Sequence, residues 1–292
     1  MNIHTNSSNS MPLVSVILVT YNSEKYVSKA IESIAQQTFV HWECVIVDDG
    51  SSDCTFNLMQ DLTHKDSRFR LFRKNHDYIT SLNYAISKAK GKYIARMDSD
   101  DIMHPDRLRI QCGILESEST VTLCASWIES FGEKENIGTV YGGMRGVVEF
   151  PLLEFTQGNF IAHPTVMIRT SFLKEKKLRY ENHPYAEDFA LWIDVAKKGG
   201  VFYIVDQVLL YYRVSDTQNS YLHQDKQRET ATQLMVDTLS FLVKRNIKIV
   251  PEYQELVNSF KKLQEKGLVS QKKILRIMYD IIKENKNVMH LS

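Results

Sequence analysis

The first hundred residues alternate between two periodicities, and that alternation restricts the fold more than any other feature of the chain. Val14-Ser15-Val16-Ile17-Leu18-Val19 is a short, β-branched apolar run, the pattern of a strand buried on both faces. From Glu24 to Gln37 the apolar residues Tyr26, Val27, Ala30, Ile31, Ile34 and Ala35 recur at helical spacing. A second strand, Cys44-Val45-Ile46-Val47, ends at Asp48-Asp49-Gly50. The pattern then predicts a helix over 53–62, a strand over Phe69–Arg73, a helix over 79–90 and a strand over 92–97. The order βαβαβαβ predicts an α/β fold, a doubly wound and mostly parallel sheet with helices on both faces. Ligands of such sheets sit beyond the carboxyl ends of the strands. Here those ends carry Thr20-Tyr21-Asn22, Asp48-Asp49-Gly50-Ser51 and Asp98-Ser99-Asp100-Asp101, which this topology brings to one crevice.

The second half is less regular. A helix is predicted over 105–118, strands over 121–126 and 164–169, and short strands within 139–150. A helix over 188–198 precedes two strands, 201–205 and 208–213, and from Tyr221 the pattern is helical to the end. The expected organisation is an N-terminal tail (1–11), an α/β domain (12–219) and a C-terminal helical region (220–292). Lys and Arg total 36 against 35 Asp and Glu, which argues against a dedicated nucleic-acid binder. Only 12 of 292 residues are glycine, so a glycine-rich phosphate loop is not the main device. The four cysteines form no CxxC pair and read as buried free thiols in a reducing compartment. No apolar run approaches the ~18 residues that span a bilayer. The polar start, Met1 to Ser10, lacks the apolar core of a signal peptide, so a cytoplasmic location is expected.

Four features carry chemistry. Asp98-Ser99-Asp100-Asp101 follows an apolar strand directly. Carboxylates this close repel one another, and a hard divalent cation relieves that repulsion while keeping positions open for substrate phosphates. The plainer alternative is a helix cap supplied by Asp101 or a neighbour. Asp48-Asp49-Gly50-Ser51-Ser52-Asp53 reads either as a capped turn or as a base-recognition site, since a carboxylate there can accept the N3–H of a uracil. Glu187-Asp188 opens a helix, which suits a complement to the helix dipole or a general base beside a bound donor. Tyr211-Tyr212-Arg213-Val214-Ser215 places an arginine after a strand, as a diphosphate clamp or a surface ion-pair partner. Neither a GxSxG elbow, nor a Walker loop, nor HExxH is present.

VSVILVTYNSEKYVSKAIESIAQQTF, VIVDDGSSD, GKYIARMDSDDIMHPDR, AEDFALW and YYRVSD together resemble the inverting family-2 glycosyltransferases of the GT-A fold, from about residue 12 to 219. RMDSDDIMHPDR, HPTVMIR and PYAEDFALW are most similar to bacterial enzymes of O-antigen, capsule and lipooligosaccharide assembly. The resemblance implies a UDP-sugar donor carrying galactose, N-acetylgalactosamine or glucose, a saccharide acceptor, and β-1,3 transfer. By residue, it implies that Thr20, Tyr21, Asn22, Glu24, Asp48, Asp49, Ser51, Arg96, Asp98, Ser99 and Arg213 bind the donor nucleotide. Asp98 and Asp100 would hold Mn²⁺ or Mg²⁺, Asp188 would be the catalytic base, and Glu187 would orient it or touch the acceptor. Trp192 and His163 are the expected acceptor contacts. Two positions depart from the pattern: Asp77 stands where many relatives carry glycine, and Ser215 where they often carry histidine. The irregular loops 127–162 and 176–186 are the expected seat of specificity.

Two other readings compete. A sugar nucleotidylyltransferase would carry a glycine-rich basic loop after the first strand, where this chain has Thr20-Tyr21-Asn22-Ser23-Glu24-Lys25-Tyr26. A non-catalytic nucleotide-sugar-binding or scaffold protein would tolerate loss of Asp98, Asp100 or Asp188, and all three are present. The balanced total charge also hides an asymmetry, because the segment from Tyr221 holds 13 basic and 8 acidic residues. Ile274, Leu275, Ile277, Met278, Ile281 and Ile282 lie beside Lys272, Lys273, Arg276 and Lys283. That segment reads as a helix packed on the core with a basic outer face, or as a peripheral foot on the inner face of the cytoplasmic membrane, where a lipid-linked acceptor would be met.

Overall fold

The computed structural model describes residues 11–132, 137–215, 222–247 and 251–284. Apart from Met11, the expected N-terminal tail lies outside the described residues. The elements run β1 (Val14–Thr20), α1 (Val27–Ala35), β2 (Trp42–Asp48), α2 (Thr55–Thr63), β3 (Phe69–Arg73), α3 (Tyr78–Lys88) and β4 (Tyr93–Met97). There follow β5 (Ile102–Met103), α4 (Arg107–Ser117), β6 (Val121–Gly132), β7 (Val140–Tyr141), β8 (Gly146–Val147) and α5 (Pro151–Glu154). A single 3-10 turn (His163–Thr165) leads to β9 (Met167–Arg169), α6 (Thr170–Glu175), α7 (Glu187–Lys197) and β10 (Val201–Val214). The chain closes with α8 (Gln224–Ile247), α9 (Glu252–Glu265) and α10 (Gln271–Glu284).

One sheet joins the strands in the order β3-β2-β1-β4-β9-β6-β10-β5. β1 pairs in parallel with both β2 and β4, so the three polar strand ends lie side by side. The sheet is mostly parallel as expected, but β9 runs antiparallel between β4 and β6. The two strands expected over 201–213 are one strand, which pairs with β6 through register shifts around Val205 and Val208. Exposed Asp206 and Gln207 interrupt its apolar pattern without ending its ladder.

The strands are apolar on both faces because both are covered. Ile17, Val19, Val45 and Val47 face Leu82 and Ala85 of α3 and Trp192 and Val195 of α7. Val16, Leu18, Cys44 and Ile46 face Val27, Ala30 and Ile31 of α1, Met59 of α2 and Leu108 of α4. Arg107, fully buried, ties the sheet to α4 by donating to the carbonyls of Arg96 (2.9 Å) and Val166 (3.3 Å) and to Gln111 (2.9 Å). Cys44, Cys112 and Cys124 are buried free thiols as expected, whereas Cys54 is exposed, because it precedes α2 at the surface.

The last three helices build a core of their own. Leu239 and Val243 of α8, Tyr253 of α9 and Leu275, Met278 and Ile282 of α10 pack with Leu153 of α5. The Tyr279 hydroxyl donates to Glu154 (3.0 Å) across the same seam. The apolar stripe of α10 is thus spent on packing, as expected of a helix packed on the core with a basic outer face. Among the described residues no helix is long and apolar enough to cross a membrane.

Candidate active site

The strand ends are sewn together by short polar links. Asn22, held in the left-handed region at φ 47°, donates its backbone N–H to the Ser51 hydroxyl (3.0 Å) and accepts from the Ser52 N–H (2.9 Å). The Ser23 and Ser99 hydroxyls share a hydrogen bond (2.9 Å), which joins the end of β1 to the end of β4. Glu24 accepts from the Cys54 N–H (2.8 Å) and so satisfies a free donor at the start of α2. Gly50 turns the chain at φ +81°, where a side-chain carbon would also sit 3.0 Å from the His76 nitrogen. The Tyr21 ring, 45% exposed, stacks on His76 at 4.1 Å.

Several of the expected donor contacts are buried and belong to the frame of the site. Asp48 and Asp49 are fully buried. Asp48 pairs with Arg73 (3.1 Å), and Asp49 accepts from the Ser81 hydroxyl (2.6 Å) and the Asp77 N–H (2.9 Å). Asp48 Oδ1 and Asp49 Oδ2 are left without a hydrogen-bond partner. Asp77 caps α3 by accepting from the Thr80 N–H (3.0 Å), which accounts for a residue that departs from the family pattern. Thr20, Ser51 and Ser99 are likewise buried. Arg96 is buried too; it ion-pairs with Asp98 and donates to the Tyr78 hydroxyl (2.6 Å), which fixes the Asp98 carboxylate.

Arg213 is part of the same frame. Its guanidinium lies buried between the rings of Tyr26 (4.3 Å) and Phe131 (4.4 Å), and Nε donates to the Asp100 carbonyl (2.7 Å). Its backbone N–H donates to Asp101 Oδ1 (2.8 Å). The arginine therefore clamps the acidic turn to β10, and the helix-cap reading of Asp101 gives way to this link. Asp101 is buried with Oδ2 lacking a hydrogen-bond partner, and burial plus the charges of Asp100 and Asp98 push its carboxyl well above the usual range.

Asp98 and Asp100 remain half-buried at the rim, with an oxygen-only donor set. Among the described residues no group of three or more His, Cys, Asp or Glu side chains is arranged to hold a metal alone. Two carboxylates in a locally anionic turn fit a hard cation that takes its other oxygens from phosphates and water.

Glu187 and Asp188 open α7, and their charges act on this same turn. Burial and repulsion from Asp188 raise Glu187 to about 7. Burial raises Asp188 to about 6, opposed by the Phe189 N–H and by Asn159 and reinforced by the charge of Asp98. Asn159 was not visible as a site residue in the sequence. Its Nδ2 donates to Asp188 Oδ2 (3.1 Å), and the Ile161 N–H donates to its Oδ1 (3.1 Å), which sets the amide's orientation. An isolated Asn in an irregular loop gives no periodic or motif signal; only the fold brings it to α7.

The two expected acceptor contacts do not reach the surface in the same way. Trp192 is 1% exposed, inside the core with its indole N–H unpartnered, so it offers no face to a sugar. One helical turn from Asp188 leads inward here, since α7 buries that side against the sheet. His163 is half-buried, with Nε2 hydrogen-bonded to the Tyr180 hydroxyl (2.6 Å) and its ring edge-on to Trp192. Burial and the nearby Arg96 keep it neutral.

The family model of glycosyl transferase family 2 matches residues 15–176, which include the acidic turn and the strand ends described above. The chain belongs to this family. It is a glycosyltransferase by that membership and by its relatives. It is 30% identical over 283 residues to an uncharacterized glycosyltransferase of Haemophilus influenzae, covering 92% of this chain and 85% of that protein. It is 30% identical over 206 residues to Bacillus subtilis TuaG, whose name assigns it to teichuronic acid biosynthesis, covering 70% of this chain and 79% of that one. Residues 1–349 of S. aureus TarS, solved in complex with UDP-GlcNAc, share the fold at a TM-score of 0.63 and 21% identity. That match covers 77% of this chain and 66% of the TarS fragment.

Proposed function

We propose that this family-2 enzyme is a metal-dependent inverting glycosyltransferase. It moves a hexose or N-acetylhexosamine from a UDP-sugar to a saccharide hydroxyl in bacterial surface-polysaccharide assembly. The observation that carries the reading is the carboxylate pair at the head of α7, where the Asn159 amide holds Asp188 Oδ2 (3.1 Å) and burial raises both carboxyls above their ordinary values. A base near the working pH removes a proton most effectively. Asp188 takes the proton of the acceptor hydroxyl, whose oxygen attacks the anomeric carbon. The bond from that carbon to the diphosphate breaks on the opposite face, and UDP departs with the electron pair. An α-linked donor then gives a β-linked product.

The exposed Tyr21–His76 stack suits the flat face of a uracil. Mn²⁺ or Mg²⁺ bound by Asp98 and Asp100 would neutralise charge on the departing diphosphate. TarS in complex with UDP-GlcNAc supports a UDP-sugar, and the name of TuaG supports a polysaccharide pathway. A β-1,3 linkage to a lipid-linked or lipooligosaccharide acceptor, met at the inner membrane face, completes the proposal. The test is a panel of UDP-sugars with Mn²⁺, read as UDP release with and without saccharide acceptors and chelator. Acceptor-dependent release that chelator abolishes is expected. Donor binding without turnover on any acceptor would leave a nucleotide-sugar-binding protein.

A further inference from the structure

Two leucines stand in water here, Leu263 in the last turn of α9 at 39% exposed and Leu268 in the turn that leads to α10 at 70% exposed. The same stretch of chain carries Lys261, Lys262, Lys266, Lys272, Lys273 and Arg276, all exposed. The only acidic residue in the segment 261–276 is Glu265. No ion pair among the described residues engages these six cations. The opposite side of α10 is fixed inward by Leu275, Met278 and Ile282, so the basic side faces outward as a consequence of packing.

We propose that this helical turn docks on an anionic lipid bilayer, with Leu263 and Leu268 entering the headgroup boundary and the lysines meeting lipid phosphates. Charge complementarity names the partner class. The leucines then decide among anionic partners, because a nucleic-acid backbone leaves them in water while a bilayer interface takes them up. Five of the six cations are lysines, compact charges on flexible stems that suit a laterally mobile surface better than a fixed bidentate site. The contact differs from an amphipathic helix lying in the interface, since the apolar stripe of α10 is already buried. It is also independent of the donor reading, because vesicle binding and sugar transfer are read separately.

The test uses the full chain and sedimentation with phosphatidylcholine vesicles, with or without phosphatidylserine. Binding is expected only with phosphatidylserine, and it should weaken as salt rises. Combining Lys261→Glu, Lys262→Glu and Lys266→Glu should weaken binding by about tenfold or more. Leu263→Ser with Leu268→Ser should weaken it as well, while the circular dichroism spectrum and UDP release with a soluble acceptor stay unchanged. Absence of binding to phosphatidylserine vesicles would overturn the proposal. So would a leucine variant that binds as tightly as the parent while heparin displaces both, since that result assigns the patch to soluble polyanions.

Discussion

The sheet ends and the C-terminal helices handle charge in opposite ways. At the ends of β1, β2 and β4 the fold buries Asp48, Asp49, Arg96 and Asp101 completely or nearly so and ties most of them to partners. In the core of α8, α9 and α10 the buried residues are apolar apart from Thr238, whose hydroxyl donates to the Leu234 carbonyl, and the charges stay outside. Burying a charged group is costly unless it is paired, so polar crowding at the strand ends reads as a frame that holds a reacting turn. The helical region needs only apolar area to dock. A substitution in the first region should therefore strike chemistry, and one in the second should strike stability.

The sharpest way to break that contrast is Asp188→Asn. It should lower kcat/KM by about 10²- to 10⁴-fold, the usual range for a lost general base, while UDP affinity by calorimetry is nearly unchanged. Near-normal turnover would remove Asp188 from its role. On the other side, Met278→Ala should destabilise the helical core by about 2–4 kcal/mol in denaturant unfolding, with kcat unchanged well below the transition. A large loss of kcat there would show that the two regions are coupled. A subtler result comes from pH. Asp188 must be ionised to accept a proton, so kcat/KM should fall as pH drops through about 6. With Glu187 ionising near 7 beside it, the limb belongs to the pair rather than to one group. The smallest effect expected is that of Asn159→Ala. Its amide stabilises the Asp188 anion, so removing it should move the acid limb of the profile to higher pH and lower the rate at neutral pH by less than about tenfold. An unmoved limb would make Asn159 a loop contact only.

Much of the α/β half was legible because its signals are local. Phe69–Arg73 forms a strand as the pattern predicts, and α3 and β4 begin and end within two residues of the expected bounds. Asp188 and Glu187 could be singled out as a helix opening, and the acidic turn after β4 as a strand end. The roles of Trp192, Arg96 and Arg213 were not legible, since all three stand in or beside a motif that carries chemistry and turn inward in space. Helical spacing places Trp192 relative to Asp188 but does not say which side of α7 meets the sheet. Asn159 and the Asp101–Arg213 link depend on residues 29 and 112 positions apart.

The sequence alone determined the alternation of strands and helices, the polar clusters at the strand ends and the basic excess of the C-terminal segment. Periodicity and composition are properties of neighbours along the chain, so they survive without any knowledge of the fold. The tertiary structure alone decided which of those polar groups are buried as frame and which stand at the rim. It also decided that α10 spends its apolar stripe on Leu153, Leu239 and Tyr253, leaving the turn before it as the exposed basic surface. Burial and pairing arise from distant segments meeting. They raise the carboxylates at the head of α7 above their ordinary values, and no count of residues contains them.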